Sequence, residues 1–177
     1  MPLPTRWADR RGFVRRLVLT ALMGSLLVVG KQVMSGLPNI EPVSLLIVLY
    51  TLELPRETPG AITVFLLLQG VLYGFGLWWA MYLYVWYLLA LVAWLLRRCD
   101  RPLVWACVSG AFGLSFGALC AAVYLFARTP AFAISWWLSG LSFDLLHGAG
   151  NFVLMLLLYR PLRRALRLAK QGAGRNR

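Results

Sequence analysis

The fold of this chain is decided by the stretch Tyr82-Leu-Tyr-Val-Trp-Tyr-Leu-Leu-Ala-Leu-Val-Ala-Trp-Leu-Leu-Arg97-Arg98, an uncharged apolar run that stops at two adjacent arginines. Such a run with a basic cluster at its end is typical of a membrane helix and its cytoplasmic flank. Another apolar run ends just before Arg160, and a third begins just after Arg15-Arg16. The stretch therefore predicts an all-α integral membrane protein.

The composition supports this prediction. Of the 177 residues, 60% are hydrophobic and 14% are charged, whereas a soluble domain has about a quarter charged residues and under half apolar ones. One domain of this length cannot enclose so much apolar surface, so much of it must face lipid. The net charge of +12 does not indicate nucleic-acid binding, because the basic residues flank apolar runs instead of forming one patch.

Turn residues and charges divide the chain into six apolar segments. Each is predicted to be one helix of a six-helix bundle that forms a single domain over residues 1–177. The segments are Phe13–Met34, Val43–Leu54, Ala61–Trp79, Tyr82–Leu96, Pro102–Phe126 and Ile134–Tyr159.

The second segment is short, since twelve residues extend about 18 Å against a hydrocarbon core of about 30 Å. The positive-inside rule indicates that it still crosses. With six crossings, 16 of the 18 Lys and Arg residues lie in the cytoplasm. If this segment stayed on one side, twelve would lie outside. Both termini, residues 1–12 and the basic tail 162–177, are therefore predicted to be cytoplasmic. The predicted outer loops are Ser35–Pro42, the Trp78–Tyr82 turn and Ala127–Ser135.

Polar residues within the sixth segment indicate a specific role. Asp144, His147, Gly148 and Asn151 are spaced to share one helix face, and a charge inside a membrane normally has a partner or a function. This face is either the polar floor of a ligand pocket or a hydrogen-bonded network that ties helices together. The sequence leaves both open.

Other candidate residues cluster at the outer end of the predicted bundle. Asn39 and Glu41 lie in the first loop, which Pro38 and Pro42 stiffen, and Lys31 can pair with Glu41, bind an anionic group or extend to the interface. Trp78 and Trp79 belong either to an interfacial aromatic belt or to a surface that stacks on a flat ring.

Enzymatic chemistry is not predicted. Ser139 and Ser142 near His147 have no nucleophile-elbow context, and no phosphate-binding glycine loop is present. The cysteines Cys99, Cys107 and Cys120 have no metal-binding spacing, so we expect no catalytic residue, metal or cofactor.

Three strings carry a family resemblance: Leu37-Pro-Asn-Ile-Glu-Pro-Val-Ser-Leu-Leu-Ile-Val-Leu-Tyr-Thr51, Gly70-Val-Leu-Tyr-Gly-Phe-Gly-Leu-Trp-Trp79 and Ser139-Gly-Leu-Ser-Phe-Asp-Leu-Leu-His-Gly-Ala-Gly-Asn-Phe152. The chain resembles the substrate-specificity (S) components of energy-coupling factor (ECF) transporters. The resemblance implies a bacterial plasma-membrane protein that captures a vitamin-like compound at its outer face. A membrane coupling subunit and two cytoplasmic ATPase subunits are then its partners, and ATP is used by those subunits alone.

The resemblance also implies residue roles. The first loop acts as a lid, and small residues on helix one, Ala21, Gly24 and Ser25, dock on the coupling subunit, with Ser25 replacing the family's usual alanine. The expected substrate-binding residues are Asn39, Glu41, Trp78, Trp79, Tyr82, Trp137 and Asp144. The expected polar network or pocket floor consists of Lys31, His147 and Asn151. The alternatives are a carrier that works alone and a membrane assembly protein that binds no small molecule.

Overall fold

The architecture is all-helical, as predicted. A computed structural model describes residues 5–37 and 39–175, which form seven α-helices and no strand. Residues 1–4 and 176–177 of the predicted termini, and the predicted stiffening residue Pro38, lie outside this described part. The helices are α1 (Thr5–Val33), α2 (Val43–Glu53), α3 (Thr58–Tyr73), α4 (Leu77–Leu95), α5 (Pro102–Ala127), α6 (Pro130–Ser139) and α7 (Leu141–Arg175).

Large apolar side chains cover the outside of the bundle. Phe126 is 93% exposed and Val71 74%, and each long helix carries further exposed Leu, Val or Phe residues. Within the described part of the chain, four helical segments are long and apolar enough to cross a membrane: Gly12–Val33, Leu77–Leu95, Pro102–Ala127 and Leu141–Gly172. Exposed apolar surface on this scale indicates a membrane protein. Helices α2 and α3 are apolar but shorter.

Helix α2 forms the centre of the bundle. Nine of its eleven residues are buried, and it packs against α1, α3, α4 and α7. Its sequence is apolar on every side, which is the pattern of a helix enclosed by protein. The exceptions are Ser44 and Thr51, which have hydrogen bonds to Asn151 and to the carbonyl of Ile47 respectively, and the terminal Glu53, which forms ion pairs with α7.

The predicted boundary between helices three and four is wrong. Helix α3 ends at Tyr73, and Gly74 follows with φ +83°, a conformation that only glycine adopts easily. The connection is therefore Gly74–Gly76, and Trp78 and Trp79 lie in the first turn of α4. The predicted turn Trp78–Tyr82 does not exist.

The predicted sixth helix is two helices, separated at Gly140, and α7 continues well past Tyr159. Pro161 lies inside α7 and removes one main-chain hydrogen bond, which typically costs about 3 kcal/mol or more. Contacts beyond it hold the helix on the bundle, because Arg163 and Arg167 both bind the Glu53 carboxylate at the end of α2. The predicted tail is thus an extension of α7. Likewise α1 begins at Thr5, before the predicted Phe13.

The two ends of the bundle differ in charge. The basic end carries the ion pairs of Arg16 with Glu57 and of Arg163 with Glu53 and Asp100. The opposite end, called the loop end here, carries the loop that joins α1 to α2. Ion pairs and hydrogen bonds therefore place the start of α1, the end of α2 and the late part of α7 at the basic end.

Candidate functional site

A partly buried ion pair lies at the loop end. The Nζ of Lys31, near the end of α1, donates to the Glu41 carboxylate at 2.9 Å and to the Tyr82 hydroxyl of α4 at 3.1 Å. The Lys31 side chain is 25% exposed and that of Glu41 is 11% exposed. Of the alternatives that the sequence left open for Lys31, the structure shows the ion pair. Glu41 is correspondingly a partly enclosed group and not a solvated loop charge.

Aromatic rings lie against this polar triad of Lys31, Glu41 and Tyr82. The Tyr82 ring packs edge-on against Trp86 at 5.5 Å and against Phe116 at 6.0 Å between ring centroids. Phe112 packs on both Trp86 and Phe116. The His147 ring of α7 lies 4.8 Å from Phe116. We call Tyr82, Trp86, Phe112 and Phe116 the aromatic cluster; it joins α4 to α5 directly beside the only histidine.

The loop between α1 and α2 is anchored over this region at several points. The Asn39 side chain donates to the carbonyl of Phe143 at 3.1 Å, and Asn39 has φ +56°, which asparagine tolerates better than most residues. A methyl group on Gly150 would lie 3.1 Å from Ile40, and one on Gly30 would lie 2.8 Å from Pro42. Glycines on α7 and α1 therefore let the loop approach closely.

Trp78 and Trp79 face different neighbours. The indole N–H of Trp79 donates to the carbonyl of Leu66 at 2.8 Å, which fixes its ring against α3. Trp78 packs edge-on against Tyr82 at 5.5 Å and so extends the aromatic cluster. Trp78 is thus the predicted tryptophan that the structure brings to the polar triad, whereas Trp79 packs between α3 and the ring of Phe75.

Asp144 lies between α7 and α5. Its Oδ1 accepts a hydrogen bond from the backbone N–H of Gly117 at 2.9 Å, and a methyl group on Gly117 would lie 2.4 Å from Oδ2. Gly113 faces the backbone of His147 and Gly148 in the same way. This close approach explains the extensive packing of α5 on α7. This hydrogen bond ties α7 to α5, as expected if the polar face belongs to a network that holds helices together.

Asn151 and His147 differ although they share a face of α7. The Asn151 amide donates to the Ser44 hydroxyl at 3.1 Å and so ties α7 to the buried α2. The His147 Nε2 has no hydrogen-bond partner, yet the ring is only 3% exposed. The His147 ring and the Tyr82 ring of the polar triad both pack against Phe116, on which the two sites meet.

Several buried polar atoms around the aromatic cluster lack a protein partner. These include the Trp86 Nε1 and the His147 Nε2, whereas the Trp137 indole interacts with the Asp144 carboxylate. Gln69 Nε2 is also unpaired, one turn from Phe65, which packs on Trp86. A buried donor or acceptor without a partner costs about 1–3 kcal/mol, so a small molecule that bonds these atoms recovers that energy.

The predicted docking residues divide into two groups. Ala21 and Ser25 are exposed on the outer face of α1, next to the exposed Leu22 and Leu26. Gly24 is buried, and a methyl group there would lie 2.6 Å from Val64 of α3. Gly24 is therefore covered by α3. The small residues that remain exposed on this part of α1 are Ala21 and Ser25.

Sequence reasoning missed several residues of this site. Phe112 and Phe116 look like ordinary apolar residues of a long segment, and the partners of Asp144 and Asn151 are a glycine backbone and a serine that no spacing rule identifies. Gln69 was the available signal, because a neutral polar side chain within an apolar segment points to the bundle interior.

The described residues contain no group of three or more His, Cys, Asp or Glu side chains placed to hold a metal ion. Comparisons with protein-family models, with curated proteins and with solved structures found no match for this chain. The functional proposal therefore rests on the geometry of the loop end together with the resemblance of the sequence strings.

Proposed function

We propose that this chain is the substrate-binding S component of an energy-coupling factor transporter and captures a vitamin-like compound at the loop end. One observation carries the proposal. The Lys31–Glu41–Tyr82 triad lies on an aromatic cluster, beneath a loop anchored to α1 and α7. A site that combines flat apolar rings with a few fixed polar groups is the usual form of a small-molecule pocket.

The geometry favours a ligand with a flat ring and at least one polar substituent. Trp78 and Tyr82 offer ring surfaces that a ligand can contact edge-on or face-on. The triad offers a cation, a carboxylate and a hydroxyl within a few ångströms, so it can exchange its internal bonds for bonds to the ligand. His147 and Trp86 supply unsatisfied ring nitrogens close by.

The proposed topology has six crossings, with both termini in the cytoplasm of a bacterial cell and the basic end inward. Its support is the sequence count of basic residues and the ion pairs that gather Glu53, Glu57, Asp100 and their arginines at one end. Helix α2 then crosses inside the protein, where its short length needs no match to the lipid.

The proposed partners are a membrane coupling subunit and two cytoplasmic ATPase subunits. The exposed Ala21 and Ser25 permit close approach of a second membrane helix. This chain has no phosphate-binding glycine loop, so in this proposal the partner subunits hydrolyse the ATP.

Two experiments on the purified full chain test the binding function. Mass spectrometry of compounds released from detergent-solubilised protein identifies the ligand, and calorimetry then measures its affinity. Tyr82→Phe removes the hydroxyl that bonds Lys31 and should weaken binding about tenfold, the effect of one hydrogen bond to a charged group. Tyr73→Phe is the matched control, because that hydroxyl bonds Gln32 at the same end, outside the triad. Equal affinity in both variants contradicts the proposed site.

Reconstitution in liposomes separates the possible transport classes. An S component binds its ligand alone but transports it only with the coupling subunit, the ATPases and ATP. Transport by the chain alone identifies an independent carrier, and a chain that binds nothing is an assembly protein.

Labelling of single cysteines tests the topology in a background without Cys99, Cys107 and Cys120. An impermeant reagent added to intact cells should label a cysteine that replaces Leu37 and should not label one that replaces Arg56. Labelling at both positions excludes six crossings.

A further inference from the structure

A cleft of about 640 Å³ lies at the basic end, opposite the proposed ligand site. Three parts of the chain enclose it: the first turns of the α1 span, the connection from α2 to α3, and the C-terminal part of α7 beyond Pro161. Among the residues that line it are Arg15, Arg16, Val18, Leu22, Arg56 and Lys170. The cleft exists because α7 continues past Pro161, so that its C-terminal part faces the first turns of the α1 span across the cleft.

The chemistry of this cleft changes with depth. Arg15, Arg16, Arg56 and Lys170 are its basic residues, and Glu57 is its acidic one. Leu22 lies seven residues further along α1 than Arg15, about 10 Å at 1.5 Å per residue. Val18 and Leu22 are 51% and 58% exposed and continue the apolar outer face of α1. The cleft is therefore basic at its mouth and apolar where it enters the span.

Two of the basic side chains are fixed by contacts within the protein and still have further N–H donors. Arg16 uses its Nε to bind Glu57 at 3.3 Å, and its side chain is 56% exposed. Lys170 donates to the carbonyl of Glu53 at 2.8 Å. A guanidinium has five N–H donors and an ammonium has three, so both groups can also bind an anion without losing these contacts.

We propose that this cleft binds the headgroup of an anionic glycerophospholipid, with its phosphate at the basic mouth and an acyl chain along Val18 and Leu22. The charge gradient matches this molecule, which is anionic at one end and apolar at the other. Basic pockets between helices on the cytoplasmic side are suited to such headgroups. The inference goes beyond ligand capture and uses the proposed membrane placement, since the apolar part of the cleft must face acyl chains.

Charge complementarity selects the lipid over two other occupants. A soluble phosphate compound accounts for the basic mouth but leaves the apolar part in contact with water. A neutral lipid accounts for the apolar part but brings no net negative charge to the basic mouth. An anionic lipid satisfies both parts of the cleft, and such lipids are present in the cytoplasmic leaflet toward which the basic end is proposed to face.

Native mass spectrometry of the full chain in detergent tests the proposal by titration with phosphatidylglycerol or phosphatidylcholine. We expect phosphatidylglycerol to bind about tenfold more tightly, because its headgroup keeps the net negative charge that the choline cation of phosphatidylcholine cancels. The double variant Arg16→Gln and Arg56→Gln should abolish this preference. Arg98→Gln with Arg101→Gln removes the same charge from the same end outside the cleft, and it should keep the preference.

A second variant keeps the test decisive if the arginine changes affect folding. Ala169 lines the cleft and is exposed, so Ala169→Trp fills the cleft while every charge stays. It should weaken phosphatidylglycerol binding with no change in melting temperature.

Three results would overturn the proposal. The first is equal binding of the two lipids, and the second is an equal loss of the lipid preference in the Arg98 and Arg101 control variant. The third is that glycerol 3-phosphate competes as strongly as the lipid itself. The last result would identify a soluble phosphate site. Failure here leaves small-molecule binding at the loop end intact, so it is distinguishable from failure of the proposed function.

Discussion

Removing one partner of the Lys31–Glu41 pair should lower the free energy of unfolding. The size of this loss depends on how exposed the two side chains are to solvent. Breaking a fully buried pair costs about 3–5 kcal/mol, and a surface pair contributes about 0–1 kcal/mol. With side-chain exposures of 25% and 11%, this pair lies between these limits. We expect Lys31→Met or Glu41→Gln to lower the free energy of unfolding by about 2 kcal/mol. The double variant leaves no unpaired charge and should lose no more than either single one.

Denaturant titration in detergent micelles measures the three variants beside the unchanged protein. The expected result is a coupling energy of about 2 kcal/mol between the two positions. Additive losses, with a coupling below about 0.5 kcal/mol, would refute the conclusion that the two side chains form one unit. Calorimetry with the identified ligand extends the test, because each single change should also weaken binding if the triad contacts the ligand.

Three further changes test other contacts. Gly117→Ala should lower the melting temperature by several degrees, because the added methyl group meets the Asp144 carboxylate, whereas Gly172→Ala meets nothing within 4 Å and should not. Ala21→Trp with Ser25→Trp should prevent co-purification of a coupling subunit and leave ligand affinity unchanged; a normal yield of the complex assigns docking to another face. Glu53→Gln should weaken the attachment of the end of α7 and raise its hydrogen exchange at least severalfold, and unchanged exchange would mean that other contacts hold the helix.

The sequence predicted the helical class and most helix positions because lipid-exposed helices leave a strong signal in hydropathy and flanking charge. It failed at Gly74 and Gly140, where the chain changes direction within apolar surroundings. A positive φ at Gly74 depends on backbone geometry, which hydropathy does not contain. It also ended the last helix near Pro161, since local preference cannot anticipate the contacts with Glu53 that hold the chain together there.

The candidate site was predictable only in part. Polar residues in apolar segments identified Lys31 and His147, because a membrane makes such residues costly, and the position of the first loop identified Glu41. Of the aromatic cluster, Tyr82 was an expected substrate-binding residue, but Phe112 and Phe116 were not predicted, since an apolar ring that lines a site and one that packs in a core look alike in sequence. The role of Gly117 was also hidden, since no sequence pattern indicates that an acidic side chain accepts a hydrogen bond from its backbone.

The enclosure of α2 has a consequence for how the protein is assembled in the bilayer. Eleven residues extend about 16 Å, about half the thickness of the hydrocarbon core. In the proposed topology this segment cannot remain stable alone in lipid, because its ends would leave polar backbone groups without partners. Its crossing must therefore coincide with the gathering of α1, α3, α4 and α7 around it. Insertion of the second span is in this sense a late tertiary event and not an independent step of biosynthesis.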